Sequence, residues 1–402
     1  MILLTMEFLQ KLKSSNNYNY KKFMKYLGRL FRIIVGLVFI FSGFVKSVDP
    51  YGTAYKITEY LGVFGFTNLI NAMPWLPIVG SIILCSFELI VGILLVSGFF
   101  KKTTNWIAGL MMFFFTVLTL IDALTNKVSD CGCFGDAILL SNWQTFWKNV
   151  ALDIFLILSF LFDKVKFPAH VNRRVGLGSL GVIIFLVVSF SIFNALYEPI
   201  IDFRAWKEGN RMVPKPEDQK PPISYALYKN NETNKEREFG MDELMEAYKE
   251  PDFMEKWTFI SSRVINANTV AADGFSMLDL ITEKDESFDV LSHEGITFIF
   301  TIVDLDSPSK KSIKKVAEFE RHASENGCQT VLITSSPIKK WAEFNEKHNW
   351  NNILTYSTDD KAIETMMRSN PGIVMMKDGV VEKKWSWRLL PKFSELNIKN
   401  QN

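Results

Sequence analysis

The chain has 402 residues, of which 48% are hydrophobic, and a net charge of only +2. This length allows two or three domains, and so small a net charge excludes a general electrostatic affinity for nucleic acid. Four cysteines are too few for a disulfide-stapled secreted scaffold. Apolar residues concentrate in 27–197, whereas 198–402 hold most of the acidic residues, and this split predicts a membrane half followed by a soluble half.

Five apolar stretches have the length of about 20 residues that a helix needs to cross a bilayer. They lie near residues 27–45, 75–100, 103–123, 143–162 and 175–197. The basic side chains of Arg29 and Arg32, in the first stretch, are expected to snorkel to the membrane surface. The opening residues 1–8 are too short for a signal-peptide core, so we expect the first stretch to remain as an anchor. Membrane lipid is therefore an expected partner.

The distribution of lysine and arginine predicts the orientation of these helices. The leading segment, residues 1–26, and the connections after the second and fourth stretches are rich in Lys and Arg, whereas the other two connections are poor in both. Under the positive-inside rule the N-terminus is cytoplasmic, and five crossings place 198–402 outside. We expect an inner-membrane protein whose C-terminal part is periplasmic. In the first external connection, 46–73, residues 51–61 suggest either an interfacial helix or a plain surface loop.

A Cys-Gly-Cys sequence in the connection between the third and fourth stretches is the most specific local signal. Cys131 and Cys133 are one residue apart, and a disulfide between them would close a small, strained ring that is easily reduced. On the oxidising side of a membrane such a pair indicates a redox couple or a structural link. The alternative is a static disulfide, or two thiols that pin a turn. Metal binding is disfavoured because none of the four histidines is close in sequence.

Two carboxylates inside the apolar stretches are candidate functional groups. Glu88 lies near the middle of the second stretch and Asp153 at a similar depth in the fourth, where an unpaired carboxylate is costly. If they are neighbours, each raises the pKa of the other. The alternative is hydrogen bonding that only fixes the bundle, with three polar partners available: Ser42, Ser81 and Asn149. Cys85 is expected to be a small core residue, too deep for pairing with Cys131 unless the loop plunges into the bundle.

Several of these residues together resemble a known group of membrane proteins. The matching pieces are Phe-Ser-Gly-Phe-Val-Lys at 41–46, Asp49-Pro50, Phe87-Glu88, Cys-Gly-Cys-Phe-Gly at 131–135, and Asn142-Trp143. Residues 27–165 thereby resemble the DoxX/MauE group of four-helix membrane proteins, and the extra helix 175–197 with a soluble tail resembles Bacteroidota members of that group. The resemblance implies respiratory-chain or thiol redox functions, and it makes quinone a candidate cofactor. Related quinone-dependent disulfide-generating proteins use a CxxC sequence, which this chain lacks.

The soluble half divides into two predicted parts. Residues 198–265 are predicted to form a proline-rich linker and a small α/β subdomain, with strands at 223–229 and 256–262, a turn at 230–234 and a helix at 241–249. In 266–402, strands alternate with helices, which predicts a parallel or mixed sheet. Strands are predicted at 296–303, 329–334, 353–356, 373–377 and 380–385, and helices at 309–326, 341–348 and 362–367. The closing hairpin turns at Asp378-Gly379.

This second part resembles the thioredoxin-like fold but lacks its catalytic cysteines. Pro371 corresponds to the cis-proline that precedes the penultimate strand in that family, whereas residues 304–309 stand where a CxxC would be expected. Cys328, at the start of a predicted strand, is interpreted as buried core. A thioredoxin-like domain without these cysteines is best read as a binding module. We therefore expect 198–402 to bind a periplasmic or membrane protein.

These observations favour a redox-associated membrane protein in which Cys131 and Cys133 cycle and Glu88 or Asp153 handles protons or anchors a cofactor. Two other classes of function remain open. One is a non-enzymatic envelope scaffold or accessory subunit, in which the bundle anchors and the tail docks a complex. The other is a small-molecule carrier that uses the two carboxylates inside the membrane.

Overall fold

The computed structural model divides the chain into two compact units, Met1–Phe203 and Arg204–Asn402. It describes residues 2–128, 132–163, 173–215, 223–265, 270–272, 274–348, 350, 353–396 and 398. We refer to the first as the membrane unit and to the second as the soluble unit, and each is described by itself.

The membrane unit is helical. Its helices are α1 Ile2–Val48, α2 Pro50–Val63, α3 Thr67–Ala72, α4 Leu76–Ser97, α5 Lys101–Thr125, α6 Asn142–Phe162 and α7 Arg173–Leu196. Among the described residues, five helices are long and apolar enough to cross a membrane, with spans Lys22–Val48, Leu76–Ser97, Lys101–Thr125, Asn142–Phe162 and Val175–Leu196. The prediction of five spans is therefore confirmed. The first span begins earlier than expected, because one continuous helix runs through the basic leading segment.

Local sequence signals explain where several of these helices begin and end. The side chain of Asp49 accepts a hydrogen bond from the Gly52 amide at 3.2 Å, so it caps α2, whose first residue is a proline. At the start of α6, Ser141 and Gln144 form a capping box. Helix α4 ends at Gly98, whose φ of 77° is the left-handed conformation that glycine adopts without strain. For residues 51–61 the sequence allowed either a helix or a plain surface loop, and the structure has a helix there, α2.

Glycines bring α1 and α4 into close backbone contact. A Cβ atom at Gly43 would lie 2.5 Å from the Leu89 amide nitrogen, and one at Gly92 would lie 2.6 Å from the Ile40 amide nitrogen. Only a residue without a side chain permits such an approach. An apolar seam continues this contact toward α5 and α6, and its buried members are Val35, Phe39, Val91, Leu95, Ala108, Met112, Leu152 and Leu156. Many large apolar side chains of the unit remain exposed, as expected of a surface that faces lipid.

One end of the bundle carries a buried cluster of charges, and we call it the Asp163 end. The Arg32 Nε and Lys101 Nζ atoms lie 2.9 Å and 2.8 Å from the two carboxylate oxygens of Asp163. Arg32 also donates a hydrogen bond to the backbone oxygen of Leu95. Arg32 is only 2% exposed, so the expectation that its side chain snorkels to the surface is wrong. A carboxylate at the end of α6 compensates its charge inside the bundle instead.

The soluble unit contains a three-stranded antiparallel sheet. Its elements are β1 Ile223–Asn230, β2 Glu236–Gly240, α8 Met241–Ala247, α9 Phe253–Lys256 and β3 Trp257–Ile265, with strand order β2-β1-β3. The core under the sheet is aromatic: the rings of Tyr228, Phe239 and Phe253 contact one another at centroid distances of 5.4 to 5.8 Å. The predicted strands at 223–229 and 256–262 are confirmed, whereas β2 was not predicted.

A six-stranded mixed sheet forms the larger part of the soluble unit. Its strands are β4 Leu278–Asp279, β5 Ile296–Thr301, β6 Gln329–Thr334, β7 Leu354–Ser357, β8 Gly372–Lys377 and β9 Val380–Ser386, and its helices are α10 Ser287–Leu291, α11 Lys310–Glu325, α12 Ile338–His348 and α13 Asp360–Met366. The strand order is β4-β7-β6-β5-β8-β9. Strands β5, β6 and β7 are parallel to one another, and the remaining pairs are antiparallel. The predicted mixed sheet and closing hairpin are confirmed.

The segment that enters the soluble unit belongs to the core of this sheet. Trp206 and Met212 are 1% and 0% exposed. The Gly209 amide donates to the Val381 oxygen at 2.7 Å, and the Met212 amide donates to the Gly379 oxygen at 2.8 Å. Part of the predicted linker is therefore packed and hydrogen-bonded along β9. The predicted linker prolines at 216, 221 and 222 lie outside the described residues.

Candidate functional site

The loop between α5 and α6 carries Cys133 and folds against α1. We call this end of the membrane unit, at which α1 ends and α4 begins, the Cys133 end. The Ser42 hydroxyl donates a hydrogen bond to the Cys133 carbonyl oxygen, and the Phe134 ring packs edge-on against Phe41 at 5.4 Å between centroids. Gly135 has a φ of 50°, and a Cβ there would lie 3.2 Å from a methyl of Val45. Cys131 lies outside the described residues.

This loop reaches farther into the bundle than the sequence predicted. Helices α1 and α4 run in opposite directions, and Gly43 of α1 lies against Leu89 of α4. Ser42, which holds the Cys133 carbonyl, is therefore near the level of Leu89, beyond Cys85 when counted from the Cys133 end. The interpretation of Cys85 as too deep for the loop assumed a loop that stays at the surface. The structure instead places the loop backbone at the depth of Cys85.

A buried ion pair lies beside the loop. The Lys46 Nζ atom is 2.9 Å from the Glu88 Oε2 atom, and the two side chains are 8% and 6% exposed. The Lys46 ammonium also faces the ring of Phe115 at 5.6 Å from its centroid. Its charge interacts with the thiols of both Cys133 and Cys85. Glu88, Lys46 and two thiols from different parts of the sequence therefore share one electrostatic environment.

Asp153 does not join this group. Its carboxylate accepts a hydrogen bond from the Thr116 hydroxyl at 2.7 Å, across the contact between α5 and α6. The two carboxylates, which the sequence places at similar depth, thus have different partners, because Glu88 is paired with Lys46. The structure does not bring them together as neighbours.

Cys85 is enclosed beneath α2. It is 0% exposed, and its sulfur lies 3.7 Å from the Ser81 hydroxyl. Ser81 in turn donates to the Pro50 carbonyl at 2.6 Å. The prediction that Cys85 is a buried small residue is confirmed, but its neighbours include the charged pair.

Two polar contacts fix the Cys133 end. On α2, the Tyr60 hydroxyl donates to a carboxylate oxygen of Asp122 at the end of α5. The Asn142 side chain, at the start of α6, donates to the Val128 carbonyl at 3.0 Å, so it anchors the beginning of the loop. Helix α2 and the loop therefore cover the bundle interior from two sides, and the covered interior is where Lys46 and Glu88 lie.

A small pocket opens next to Cys133. It is lined by Gly132, Cys133, Phe134, Gly135, Ile138, Leu140 and Thr145, and its empty volume is about 190 Å³, part of it open to solvent. Ligand sites usually enclose roughly 300 Å³ or more. This pocket is smaller than such sites, so we derive no step through a quinone. Within the described residues, no group of three or more His, Cys, Asp or Glu could hold a metal ion.

The loop after β5 in the soluble unit is polar. It contains residues 304–309, which stand where a thioredoxin-like domain would carry a CxxC sequence. Lys340 pairs with Asp304 at 3.3 Å and with Asp306 at 2.6 Å. The Asn370 side chain donates to the Ser307 hydroxyl at 2.7 Å, and the peptide bond between Asn370 and Pro371 is cis. This loop holds no nucleophilic thiol.

The single thiol of the soluble unit, that of Cys328, is part of its core. Cys328 is 6% exposed, and burial raises the pKa of its thiol. It packs in an apolar cluster with Phe319, Ala323 and Trp350. The prediction that Cys328 is buried core is confirmed.

Comparisons with known proteins agree with the membrane half of this description. Residues 24–162 match the family described as "Methylamine utilisation protein MauE". The chain is also 30% identical over 165 residues to Protein TlpB of Flavobacterium psychrophilum, a match that covers 39% of this chain and 40% of that protein. No solved structure matches. Together with the five apolar helices, these matches support a membrane protein whose residues 24–162 are similar to MauE, followed by a region of mixed sheets and helices.

Sequence reasoning missed the partner of Glu88 and the anchor of the loop. Both are on α1: Ser42 and Lys46 are four residues apart, so they lie one above the other on one face of the helix. A lysine four residues beyond a buried serine, at the end of an apolar stretch, was the available signal. Its place at the end of that stretch favours the start of the next connection over a position inside the bundle, and the sequence alone does not decide between them.

Proposed function

We propose that the membrane unit takes part in thiol–disulfide exchange outside the cytoplasm, with Cys131 and Cys133 as the redox couple. The observation that carries this proposal is the position of Cys133. Its backbone is bound to α1 by Ser42, and its thiol interacts with the charge of the buried Lys46–Glu88 pair. A loop that only connected two helices would need neither the hydrogen bond from Ser42 nor a buried ion pair beside its thiol.

The proposed chemistry balances without a further cofactor. A disulfide between Cys131 and Cys133 accepts two electrons and two protons from a dithiol of a client protein, which becomes a disulfide. Exchange proceeds through a mixed disulfide formed by attack of a client thiolate. The couple returns to its oxidised form when it passes the two electrons and two protons to a second, more oxidising protein disulfide.

The proposed orientation puts the couple on the oxidising side of the inner membrane. Lys101, Arg32 and the basic leading segment belong to the Asp163 end, which is the cytoplasmic end under the positive-inside rule. The Cys133 end, opposite to it, then faces the periplasm. With five spans, the soluble unit is periplasmic too.

We infer that the soluble unit is a thioredoxin-like module that binds the client or another membrane protein. The order β7-β6-β5-β8-β9, with β5 parallel to β6 and antiparallel to β8, supports this assignment. The loop after β5 carries Asp304, Asp306 and Ser307 instead of a CxxC sequence, so the module binds a partner and the membrane unit carries out the exchange.

The test is a redox titration of the full-length protein in detergent. Cys85 and Cys328 are replaced by Ala and Ser, so that a mass-tagged maleimide reports only Cys131 and Cys133. After equilibration in glutathione buffers of graded potential, we expect both thiols to gain and lose their tags together in one two-electron step. The matched control keeps Cys85 and Cys328 and replaces Cys131 and Cys133, and its tag number should not vary with the potential.

Two results would overturn the proposal. One is a tag pattern that stays the same across all accessible potentials. The other is full function in cells of a variant with both Cys131 and Cys133 replaced by Ser, combined with loss of function when residues 204–402 are deleted. That combination would favour the scaffold hypothesis.

A further inference from the structure

We propose that Lys46, held by Glu88, is a positioning residue that stabilises the thiolate form of Cys133. The inference deepens the proposed function, because it names the group that prepares the thiol for exchange. The thiolate is the reactive form of a cysteine, and a nearby cation favours it.

The geometry of α1 carries this inference. Ser42 fixes the Cys133 carbonyl on the same helical face from which Lys46 extends one turn later. The Gly135 contact with Val45 fixes the other side of the loop on that helix. Helix α1 therefore sets the position of the cysteine and of the cation together, so the distance between them does not depend on a flexible connection.

Because Lys46 and Glu88 are buried, the charge of Lys46 acts strongly on nearby groups. Both side chains are less than one tenth exposed, at 8% and 6%, so water does little to screen the Lys46 ammonium. Glu88 fulfils a second condition: without a carboxylate at 2.9 Å, a lysine buried among apolar helices would tend to lose its proton. Glu88 thus keeps Lys46 charged, while Lys46 also acts on Cys133.

Other charged and titratable groups surround the same loop, and the experiment must separate their effects. Their positions on the surrounding elements are Glu88 and Cys85 on α4, Lys56 and Glu59 on α2, Asp122 on α5, Lys127 and Asp136 in the connection itself, and Lys148 on α6. Lys148 is the most informative of these, because its Nζ atom lies 4.3 Å from the centroid of the Phe134 ring. It is a cation beside the loop that is not part of the buried pair.

The experiment measures how the reactivity of Cys133 depends on pH. In full-length protein in lipid nanodiscs, Cys85, Cys131 and Cys328 are replaced by Ala, Ser and Ser, and the rate of iodoacetamide labelling is followed from pH 5 to 10. The midpoint of the rate profile is the pKa of the Cys133 thiol. In K46M we expect this pKa to rise by about one unit or more, which slows labelling about tenfold below the midpoint. K46R keeps the charge and should restore the original midpoint to within a few tenths of a unit.

K46R, E88Q and K148Q distinguish a positioning charge from a structural brace. Without the Glu88 carboxylate Lys46 tends to lose its charge, so the pKa of Cys133 in E88Q should rise, by no more than it rises in K46M. K148Q, which removes the cation outside the pair, should change the midpoint by less than K46M does. Size-exclusion profiles of all variants establish that the fold is retained.

The proposal is overturned if K46M leaves the midpoint unchanged, or if K46R raises it as much as K46M does, since the charge of the side chain would then not set the pKa of Cys133. The outcome is independent of the redox titration above, which uses protein that retains both Cys131 and Cys133. A normal two-electron step combined with an unchanged midpoint in K46M would refute only the role of Lys46.

Discussion

Asp163→Asn is the substitution from which we expect the largest loss of stability at the Asp163 end. The Asp163 carboxylate is 1% exposed and compensates two cations, of which Arg32 is 3% exposed and Lys101 is 25% exposed. Its neutralisation leaves the Arg32 guanidinium buried without a counterion. Breaking a buried ion pair from one side costs roughly 3 to 5 kcal/mol, because the remaining charge is left uncompensated.

The structure also ranks the neighbouring substitutions. Arg32→Met leaves Asp163 paired with Lys101 at 2.8 Å, so it should cost less than Asp163→Asn. Lys101→Met should cost least, about 1 kcal/mol or less, because this side chain is partly exposed and Asp163 keeps Arg32. The double substitution R32M/D163N removes both buried charges and should recover most of the stability lost in D163N.

The assay is unfolding by a graded mole fraction of SDS in detergent micelles, followed by circular dichroism, with each variant compared at its midpoint. We expect the order wild type, K101M, R32M, D163N from most to least stable, with the double variant above D163N. A D163N midpoint equal to that of K101M would refute the reasoning, as would a double variant that is less stable than D163N.

Three further predictions follow from other parts of the molecule. Gly92→Ala places a Cβ 2.6 Å from the Ile40 amide nitrogen, so α1 and α4 must separate. We expect this to lower the stability by roughly 1 to 3 kcal/mol in the same unfolding assay. Gly178→Ala, whose added Cβ meets no atom within 4 Å, should leave the stability unchanged. Burial raises the pKa of Glu320 above its usual 4.5, so the folded state retains the proton longer than the unfolded state, and stability falls as pH rises from 4.5 through the folded-state pKa. E320Q should therefore gain protection relative to wild type at pH 8 but not at pH 4, as measured by hydrogen exchange of residues 313–334. The Cys328 thiol, whose pKa burial also raises, should be labelled by iodoacetamide only after denaturation.

Each of these predictions has a result that contradicts it. Equal midpoints for the two alanine variants would show that the helices tolerate the added methyl group. The same protection ratio for E320Q at both pH values would mean that Glu320 titrates normally. Rapid labelling of Cys328 in native protein would place its thiol at the surface.

The membrane spans were predictable because lipid imposes a minimum apolar length, and each of the five runs shows that length in the sequence. The partner of Glu88 was not predictable from the same signal. Which residue of α1 lies opposite Glu88 depends on how far the two helices slide past each other, and close contacts such as Gly43 with Leu89 set that position. The depth of the loop is likewise decided by a tertiary contact, from Ser42 to a backbone carbonyl.

The soluble unit shows the same division. The run Ile296–Thr301 is buried along its whole length, so its composition alone identified a central strand. Strand β2, Glu236–Gly240, has the sequence Glu-Arg-Glu-Phe-Gly and is mostly exposed. It pairs with β1 through backbone hydrogen bonds. Such pairing leaves no apolar pattern in the sequence from which the strand could be predicted. The entering segment was not predicted to be packed for another reason. Only two of its large apolar residues, Trp206 and Met212, are deeply buried, and so short a pattern is also typical of a linker.

That entering segment determines how the soluble unit can be prepared in isolation. Residues 209–212 run along the outer edge of β9, through backbone hydrogen bonds to Gly379 and Val381 and a bridge from Arg211 to Val380. A fragment cut at the first strand, Ile223, would leave that edge open and empty the core position of Trp206. Open edges recruit strands from other molecules, so such a fragment should aggregate, whereas one that starts at Arg204 carries its own protection.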